Sequence, residues 1–322
     1  MKQKVKIEEP EAHLLSECET FDPDDFTYPD PEEEPATLDK FYGPMRNYIK
    51  MVARGYSNLM MLDAAGGLGK THTVRQVLGR ELERDEWTHL RGFTTPVELY
   101  KTLWKAREYG HVLFLDDMSG ITSNQKAIDM LKAATDTEGH ENWVEYRSSQ
   151  DIEHPIRSDK SLPQTFNFNG RIIMSFNETP DKPHFNALKD RGTFYNFRLS
   201  YYERLELVRE IAKLGHFSDL TVRQQQETAK WVATVTDPSV EVSIRTFEEV
   251  CNMRNYGQQQ NENWEQMALE VFDLDYQRYL IMRLRESDLD AQEEVEYWKE
   301  ETGYGQTKYY DTLSEIKSER MD

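Results

Sequence analysis

Cysteine is nearly absent. Cys18 and Cys251 are the only two in 322 residues, and they lie far apart, so neither a disulfide framework nor a cysteine-based zinc site can be read from them. Long apolar runs are missing too: nothing approaches the roughly 18 consecutive apolar residues of a membrane span. The opening MKQKVKIEEP turns acidic at once and lacks the apolar middle of a signal peptide. These absences predict a cytoplasmic protein without a membrane partner. Basic charge is scarce as well, with 39 Lys and Arg against 59 Asp and Glu and a net charge of −20. The imbalance sits at the ends. Residues 1–40 hold 13 acidic and 4 basic side chains, residues 259–322 hold 17 and 7, and the middle is nearly neutral. Acidic ends favour solubility and self-repulsion, and the neutral middle leaves nucleic acid open as a partner.

Aliphatic residues are few in 8–39, where Glu and Asp mix with Pro10, Pro23, Pro29, Pro31 and Pro35. That composition predicts disorder, and 1–37 reads as an acidic tail. Apolar residues then recur at helical spacing over 38–54. NLMMLD (58–63) reads as a buried strand, followed by a Gly-rich turn and a helix over about 71–83. HVLFLDD (111–117) and GRIIMSFN (170–177) read as two further buried strands. Strands alternating with helices predict an α/β fold with a parallel sheet covered on both faces. NWVEYRSS (142–149) and TFNFNG (165–170) read as short strands flanking a polar loop, an insertion before the third buried strand. Beyond residue 199 the pattern is helical. The expected organisation is a nucleotide-binding domain over 38–200, a helical lid over 201–258 and an acidic helical segment over 259–322.

AAGGLGKT (64–71) fits the phosphate-loop pattern Gly/Ala-x-x-x-x-Gly-Lys-Ser/Thr, with Ala64 where Gly is commoner. In such a loop backbone N–H groups wrap phosphates, and side chains would obstruct the approach, so Gly66, Gly67 and Gly69 are fitting. The candidate ATP contacts are Ala64, Ala65, Gly66, Gly67, Leu68 and Gly69 in the loop, then Lys70, Thr71 and His72 in the following helix. Lys70 is placed to reach the β- and γ-phosphates and Thr71 to hold Mg2+, while the helix start directs its positive end at the anion. The plain alternative is a Gly-rich strand-to-helix turn. The strand HVLFL ends in Asp116-Asp117. A carboxylate at that place orients the Mg2+ shell, the part of Asp116, and the next one polarises an attacking water as general base, the part of Asp117. In isolation the same pair is a solvated acidic turn.

The P-loop, the strand ending in acids and Asn177 after the next strand together resemble the AAA+ family of P-loop ATPases. The resemblance covers roughly 38–258 in five ordered motifs. It implies a P-loop AAA+ core, a small helical lid and a helical C-terminal segment. It also implies that Asn177 is sensor 1, positioning the lytic water. Arg191, in NALKDRGTFYNFRLS, matches the arginine that enters a neighbouring subunit's site. Arg245, in SIRTFEEV, matches sensor 2 near the γ-phosphate. A trans-acting arginine implies a homo-oligomer, expected as a ring. One departure is that the family's usual acidic pair is Asp-Glu. GFTTPVELYKTLW, MLKAATDT and LPQTFNFNGRIIMSFN further resemble AAA+ ATPases of phages, archaeal viruses and plasmids, which implies the host cytoplasm and a role in DNA replication or remodelling.

Two readings of the C-terminal segment 293–317 stay open. A helix, a turn at Thr302-Gly303 and a second helix resemble a helix-turn-helix ending, with Val295, Trp298, Tyr309 and Leu313 packing the pair. Against DNA stand its acidity and the single Lys308 near the start of the second helix, so a simple helical hairpin for subunit contact is the alternative. Arg147, Arg157 and Lys160 give the insertion loop a positive bias suited to a central channel, or to a solvated hairpin. An ATP-driven DNA motor, a polypeptide remodeller and a nucleotide-controlled loader all fit the motifs.

Overall fold

Strands that are apolar on both faces force a layered architecture. In β1 (Leu59–Ala64), β3 (Val112–Asp116) and β6 (Arg171–Phe176) every residue is buried, which requires cover on both sides of the sheet. The structure, a computed structural model, describes residues 36–92, 94–117, 124–136, 141–147, 151–155, 160–179, 183–217, 219–285 and 287–319. Two more strands complete the main sheet, β2 (Trp87–Arg91) and β7 (Thr193–Phe197). All neighbours run parallel, in the order β2-β3-β6-β1-β7.

Pleating divides the core. Leu59, Met61, Leu113, Leu115, Ile172 and Met174 face one side, where they pack on α3 (Pro96–Lys105), α4 (Gln125–Ala134) and α5 (Pro183–Lys189). Met60, Leu62, Val112, Phe114 and Ile173 face the other side, covered by α1 (Ala36–Ala53) and α2 (Lys70–Glu81). Caps set the helix starts: Pro96 at the first position follows Thr95, whose side chain accepts from the Glu98 N–H, and Asn124 accepts from two N–H groups of α4.

The helical region follows directly. In α6 (Tyr201–Ala212), Leu207 and Ile211 join the sheet-side core. Leu205, Val208 and Ala212 of the same helix pack with α7 (Val222–Val235), α8 (Ile244–Gln260) and α9 (Trp264–Phe272). A last group, α10 (Tyr276–Arg285), α11 (Ala291–Thr302) and α12 (Gln306–Glu319), closes around Trp298, Tyr309 and Ile316. Gly303 sits between the last two helices at φ 72°, a left-handed turn that favours glycine. Among the described residues no helix is long and apolar enough to cross a membrane.

The structure corrects several local expectations. Residues 36 and 37, expected to lie in the disordered tail, begin α1, where Thr37 donates to Glu210 of α6 at 2.7 Å and the following Leu38 is buried. The rest of the acidic tail, 1–35, lies outside the described residues. The helix expected over 71–83 runs from Lys70 to Glu81. Neither β2 nor β7 was anticipated, because both are edge strands: WTHLR and TFYNF are half-exposed and carry polar residues in place of an unbroken apolar run. The short strands of the insertion do form, as the antiparallel pair β4 (Trp143–Glu145) and β5 (Thr165–Asn167). Arg147 beside them is exposed and pairs with Glu145, Lys160 is exposed, and Arg157 lies outside the described residues.

Candidate nucleotide-binding site

Parallel strands with interleaved connections open a crevice beyond their carboxyl ends, the usual ligand position in such sheets. Here that edge gathers the ends of β1, β3 and β6. β1 runs into the Gly-rich loop, β3 ends in Asp116, and β6 ends at Phe176 just before Asn177. The registers Asp116↔Ser175 and Asp63↔Phe176 place the three ends side by side.

The loop cannot take its shape with larger residues. Gly67 has φ 72°, and a Cβ there would meet Ser243 Oγ at 2.7 Å. Gly69 has φ 77°, and a Cβ there would meet Tyr42 Oη at 2.9 Å. Tyr42, buried on α1, donates to the Leu68 carbonyl at 3.1 Å and so pins the loop from below. Gly69 then caps α2, which has no side-chain cap and no acidic residue in its first turn. Its first N–H groups therefore lack the side-chain acceptor that caps α3 and α4, which suits an incoming anion. Ala64 is buried at the strand end, and His72 is exposed one residue beyond Thr71.

Lys70 is only 7% exposed. Its Nζ donates to the Ala64 carbonyl at 3.2 Å and to Asn177 Oδ1. Burial pushes its pKa down; Asp116 and Asp117 oppose that shift, and Arg245 adds to it. A buried ammonium held this way is stabilised by added negative charge, which a polyphosphate carries. The Thr71 hydroxyl lies 3.1 and 3.0 Å from the two oxygens of Asp116, itself 1% exposed. Burial is the largest influence on the Asp116 carboxyl and disfavours its charge. Hydrogen bonds from His89, Ser175 and Thr71 outweigh it and hold the pKa below the usual carboxylate value.

Asp117 follows in the left-handed region at φ 53°, with its N–H on the Ser175 carbonyl at 3.2 Å. A non-glycine residue pays conformational energy there, as residues at functional sites often do. Its side chain is exposed, and its Oδ1 accepts from Asn177 Nδ2 at 3.0 Å. Lys70, Asn177 and Asp117 thus form one continuous polar chain above Asp116.

The start of α8 leans on the loop: the Ile244 N–H donates to the Gly67 carbonyl at 3.0 Å. A Cβ on Gly67 would lie 3.3 Å from that of Arg245, which places the exposed Arg245 at the loop. Arg191 lies elsewhere. Gly192 packs against Leu59 at the start of β1, so closely that a Cβ would sit 2.4 Å from the Leu59 carbonyl oxygen. Leu59 is five residues from Ala64, about 16 Å at strand rise, so Arg191 stands at the opposite edge of the sheet from its own loop. There it donates to the Ala187 carbonyl at 2.6 Å.

The residue types fit a magnesium nucleotide. Thr71 and Asp116 offer hard oxygen donors. Mg2+ characteristically takes one or two carboxylates plus phosphates rather than an all-protein cage. Among the described residues there is no cluster of three or more His, Cys, Asp or Glu that could hold a metal. Sequence reasoning missed His89, Ser175, Tyr42 and Ser243. Only the last had a signal, as the first residue of the SIRTFEEV motif.

No protein-family model matches the chain. An uncharacterized 36.7 kDa protein from the nrdC-mobD intergenic region of Enterobacteria phage T4 is 22% identical over 254 residues, covering 74% of this chain and 75% of that protein. Among solved structures, Cdc6p from Pyrobaculum aerophilum is similar at a TM-score of 0.50 and 12% identity, over 90% of this chain and 88% of that one. The Thermotoga maritima RuvB Holliday junction branch migration motor is similar at a TM-score of 0.45 and 14% identity, over 84% and 85% of the two chains. At these identities the likeness is one of fold alone: a five-stranded parallel α/β sheet followed by helical segments.

Proposed function

We propose that this protein is an ATP-hydrolysing AAA+ motor that works as a homo-oligomeric ring in DNA replication or remodelling for a phage, virus or plasmid. The observation that carries the reading is the convergence of Lys70, Thr71, Asp116, Asp117 and Asn177 at the carboxyl ends of three parallel strands. In this reading 64–69 wraps the phosphates of ATP, with His72 at the margin. Lys70 leaves Asn177 for the β- and γ-phosphates. Thr71 and Asp116 hold Mg2+, which neutralises phosphate charge when bound. Asp117 accepts the proton of the attacking water and Asn177 orients that water. Arg245 reaches the γ-phosphate from the lid, and Arg191 serves the site of an adjacent subunit.

The division into 38–200, 201–258 and 259–322 follows the same reading, except that the helical cluster of the lid continues through α9 (Trp264–Phe272); α8 would carry lid movements to the loop through the Ile244–Gly67 hydrogen bond. Kinship with a phage chain supports the mobile-element setting. The exposed positions of α12 carry Lys308 and Lys317 against Asp311 and Glu315, and those of α11 carry Lys299 against Glu293, Glu296, Glu300 and Glu301. That charge balance favours subunit contact over phosphate contact for the α11–α12 hairpin.

The test is the ATPase rate of the purified protein, alone and with single- or double-stranded DNA. The expected result is Mg2+-dependent hydrolysis accelerated by DNA. Acceleration by unfolded polypeptide instead would favour a protein remodeller, and nucleotide-dependent assembly without either stimulus would favour a loader. No hydrolysis under any condition would refute the motor reading.

A further inference from the structure

Asp116 is clasped from both neighbouring strands. From β6, Ser175 Oγ donates to its Oδ1 at 2.5 Å. From β2, His89 Nε2 lies 3.4 Å from its Oδ2. Thr71 Oγ1 spans both oxygens. The imidazole is held for this contact: its side chain is only 11% exposed, and its ring stacks on Phe114 with centroids 4.7 Å apart and planes within 12°. His89 and Phe114 are register partners across β2 and β3, so the stack follows from the strand pairing itself. On an edge strand whose other positions are Trp, Thr, Leu and Arg, an aliphatic residue would cover Phe114 equally well. The ring nitrogen also reaches the carboxylate, which an aliphatic side chain cannot bond.

The three donors differ in what else is asked of them. In the reading above, Thr71 is itself a ligand of the cation. Ser175 holds Oδ1 and leaves the carboxylate free to tilt about that contact. His89 is the remaining group on Oδ2. Residues that hydrogen-bond a ligating carboxylate fix its orientation, and their loss weakens metal affinity or activity by about 10- to 100-fold.

We propose that His89 is a positioning residue for Asp116: it fixes the rotation of that carboxylate and so sets how tightly the site takes its divalent cation with the nucleotide. The inference rests on the nucleotide-site reading, and the experiment separates the two. Binding of a fluorescent ATP analogue to the full chain is measured against Mg2+ concentration and again in EDTA, for the parent, His89→Phe and His89→Gln, with thermal melts alongside. His89→Phe keeps a stacking ring and removes the ring nitrogen; His89→Gln restores a polar donor. The half-saturating Mg2+ concentration should rise by about 10-fold or more in His89→Phe and return most of the way in His89→Gln. Binding in EDTA should be the same in all three. Superimposable Mg2+ curves for the parent and His89→Phe would overturn the inference and leave the site reading standing. So would an equal shift in His89→Gln, which would make His89 a packing residue. So would a loss of binding in EDTA or a collapsed melt in His89→Phe. A parent that binds no nucleotide at any Mg2+ concentration would overturn both.

Discussion

The two edges of the central sheet each bury charge, but they hold it differently. At the amino edge, Arg171 opens β6 and is 8% exposed. Its Nη1 donates to the carbonyls of Val52 and Ala53 at 3.2 and 2.7 Å, the last turn of α1. Those partners are backbone, they lie at the negative end of a helix, and they cannot rotate away. Gly55, at φ 82°, leaves room for the guanidinium, since a Cβ there would come within 2.8 Å of Nη2. At the carboxyl edge, Lys70 and Asp116 are as deeply buried, yet most of their partners are side chains: Asn177, Thr71, Ser175 and His89. Hydroxyls and amides can turn to a new partner at low cost. On the proposed function, a charge that supports the fold is fastened to backbone, and a charge kept for a ligand is held by groups able to exchange.

The strongest way to break that contrast is at Lys70. Lys70→Ala should reduce ATP hydrolysis by at least about 10³-fold, since a preorganised cation at a transferring phosphoryl group ranks with the largest electrostatic contributions to rate. The fold should persist, because removing a desolvated ammonium relieves the cost of its burial, and the Ala64 carbonyl and Asn177 Oδ1 it leaves can accept from water. Asp117→Asn should also block turnover but retain ATP binding. Rate assays, nucleotide binding and melting of both variants check this. A Lys70→Ala protein that turns over normally, or one that unfolds, would erase the distinction between the edges.

The carboxyl edge was largely legible in the sequence, because its chemistry is local. The phosphate-loop pattern is contiguous, and Asp116, Asp117 and Asn177 lie at or just beyond the ends of strands whose apolar runs announce them. What stayed hidden was the cross-strand support. His89 and Ser175 matter through register with Phe114 and Asp116, and no spacing along the chain encodes a register between strands. The edge strands that carry His89 and follow Arg191 were missed for a related reason: half-exposed strands lack the unbroken apolar signal of β1, β3 and β6. The amino edge left no motif either, since backbone carbonyls that receive Arg171 have no residue signature.

Arg191 tests the contrast from the other side, as a residue of the amino edge expected to act in catalysis. Its side chain has one described hydrogen bond, to the Ala187 carbonyl, and its buried Nε has no partner among the described residues. It is thus held more loosely than Arg171. Because it stands across the sheet from its own loop, the proposed function gives it a role at the site of another subunit. Arg191→Ala should lose about 10³-fold or more in rate, the range for arginines inserted across an interface, while its own site still binds ATP. Mixing it with Lys70→Ala should restore activity, because some interfaces then pair an intact loop with an intact arginine. Demonstrated mixed assembly without recovery would assign Arg191 to the fold.

The smallest effect on turnover is expected at Arg171, where the contrast predicts a loss of stability alone. Arg171→Leu fills part of the same volume but removes the donors to Val52 and Ala53, leaving the Ala53 carbonyl without the partner it has in the fold. An unsatisfied buried group costs about 1–3 kcal/mol, and hydrogen bonds from a charged donor are at the strong end of the range. The expected destabilisation is therefore about 2–4 kcal/mol, read as a lowered denaturant midpoint with an unchanged slope. Arg171→Lys keeps the charge but not the forked geometry and should fall between. In both variants the folded fraction should bind nucleotide and hydrolyse it as the parent does, because the change lies a full strand length from Lys70. A drop in turnover per folded molecule would mean that α1 transmits strain from one edge to the other, through Tyr42 and its hydrogen bond to Leu68. A double variant, Arg171→Leu with Tyr42→Phe, separates these outcomes. Additive losses of stability with normal turnover place Arg171 in the fold alone, whereas a non-additive loss of turnover makes α1 the connection between the edges.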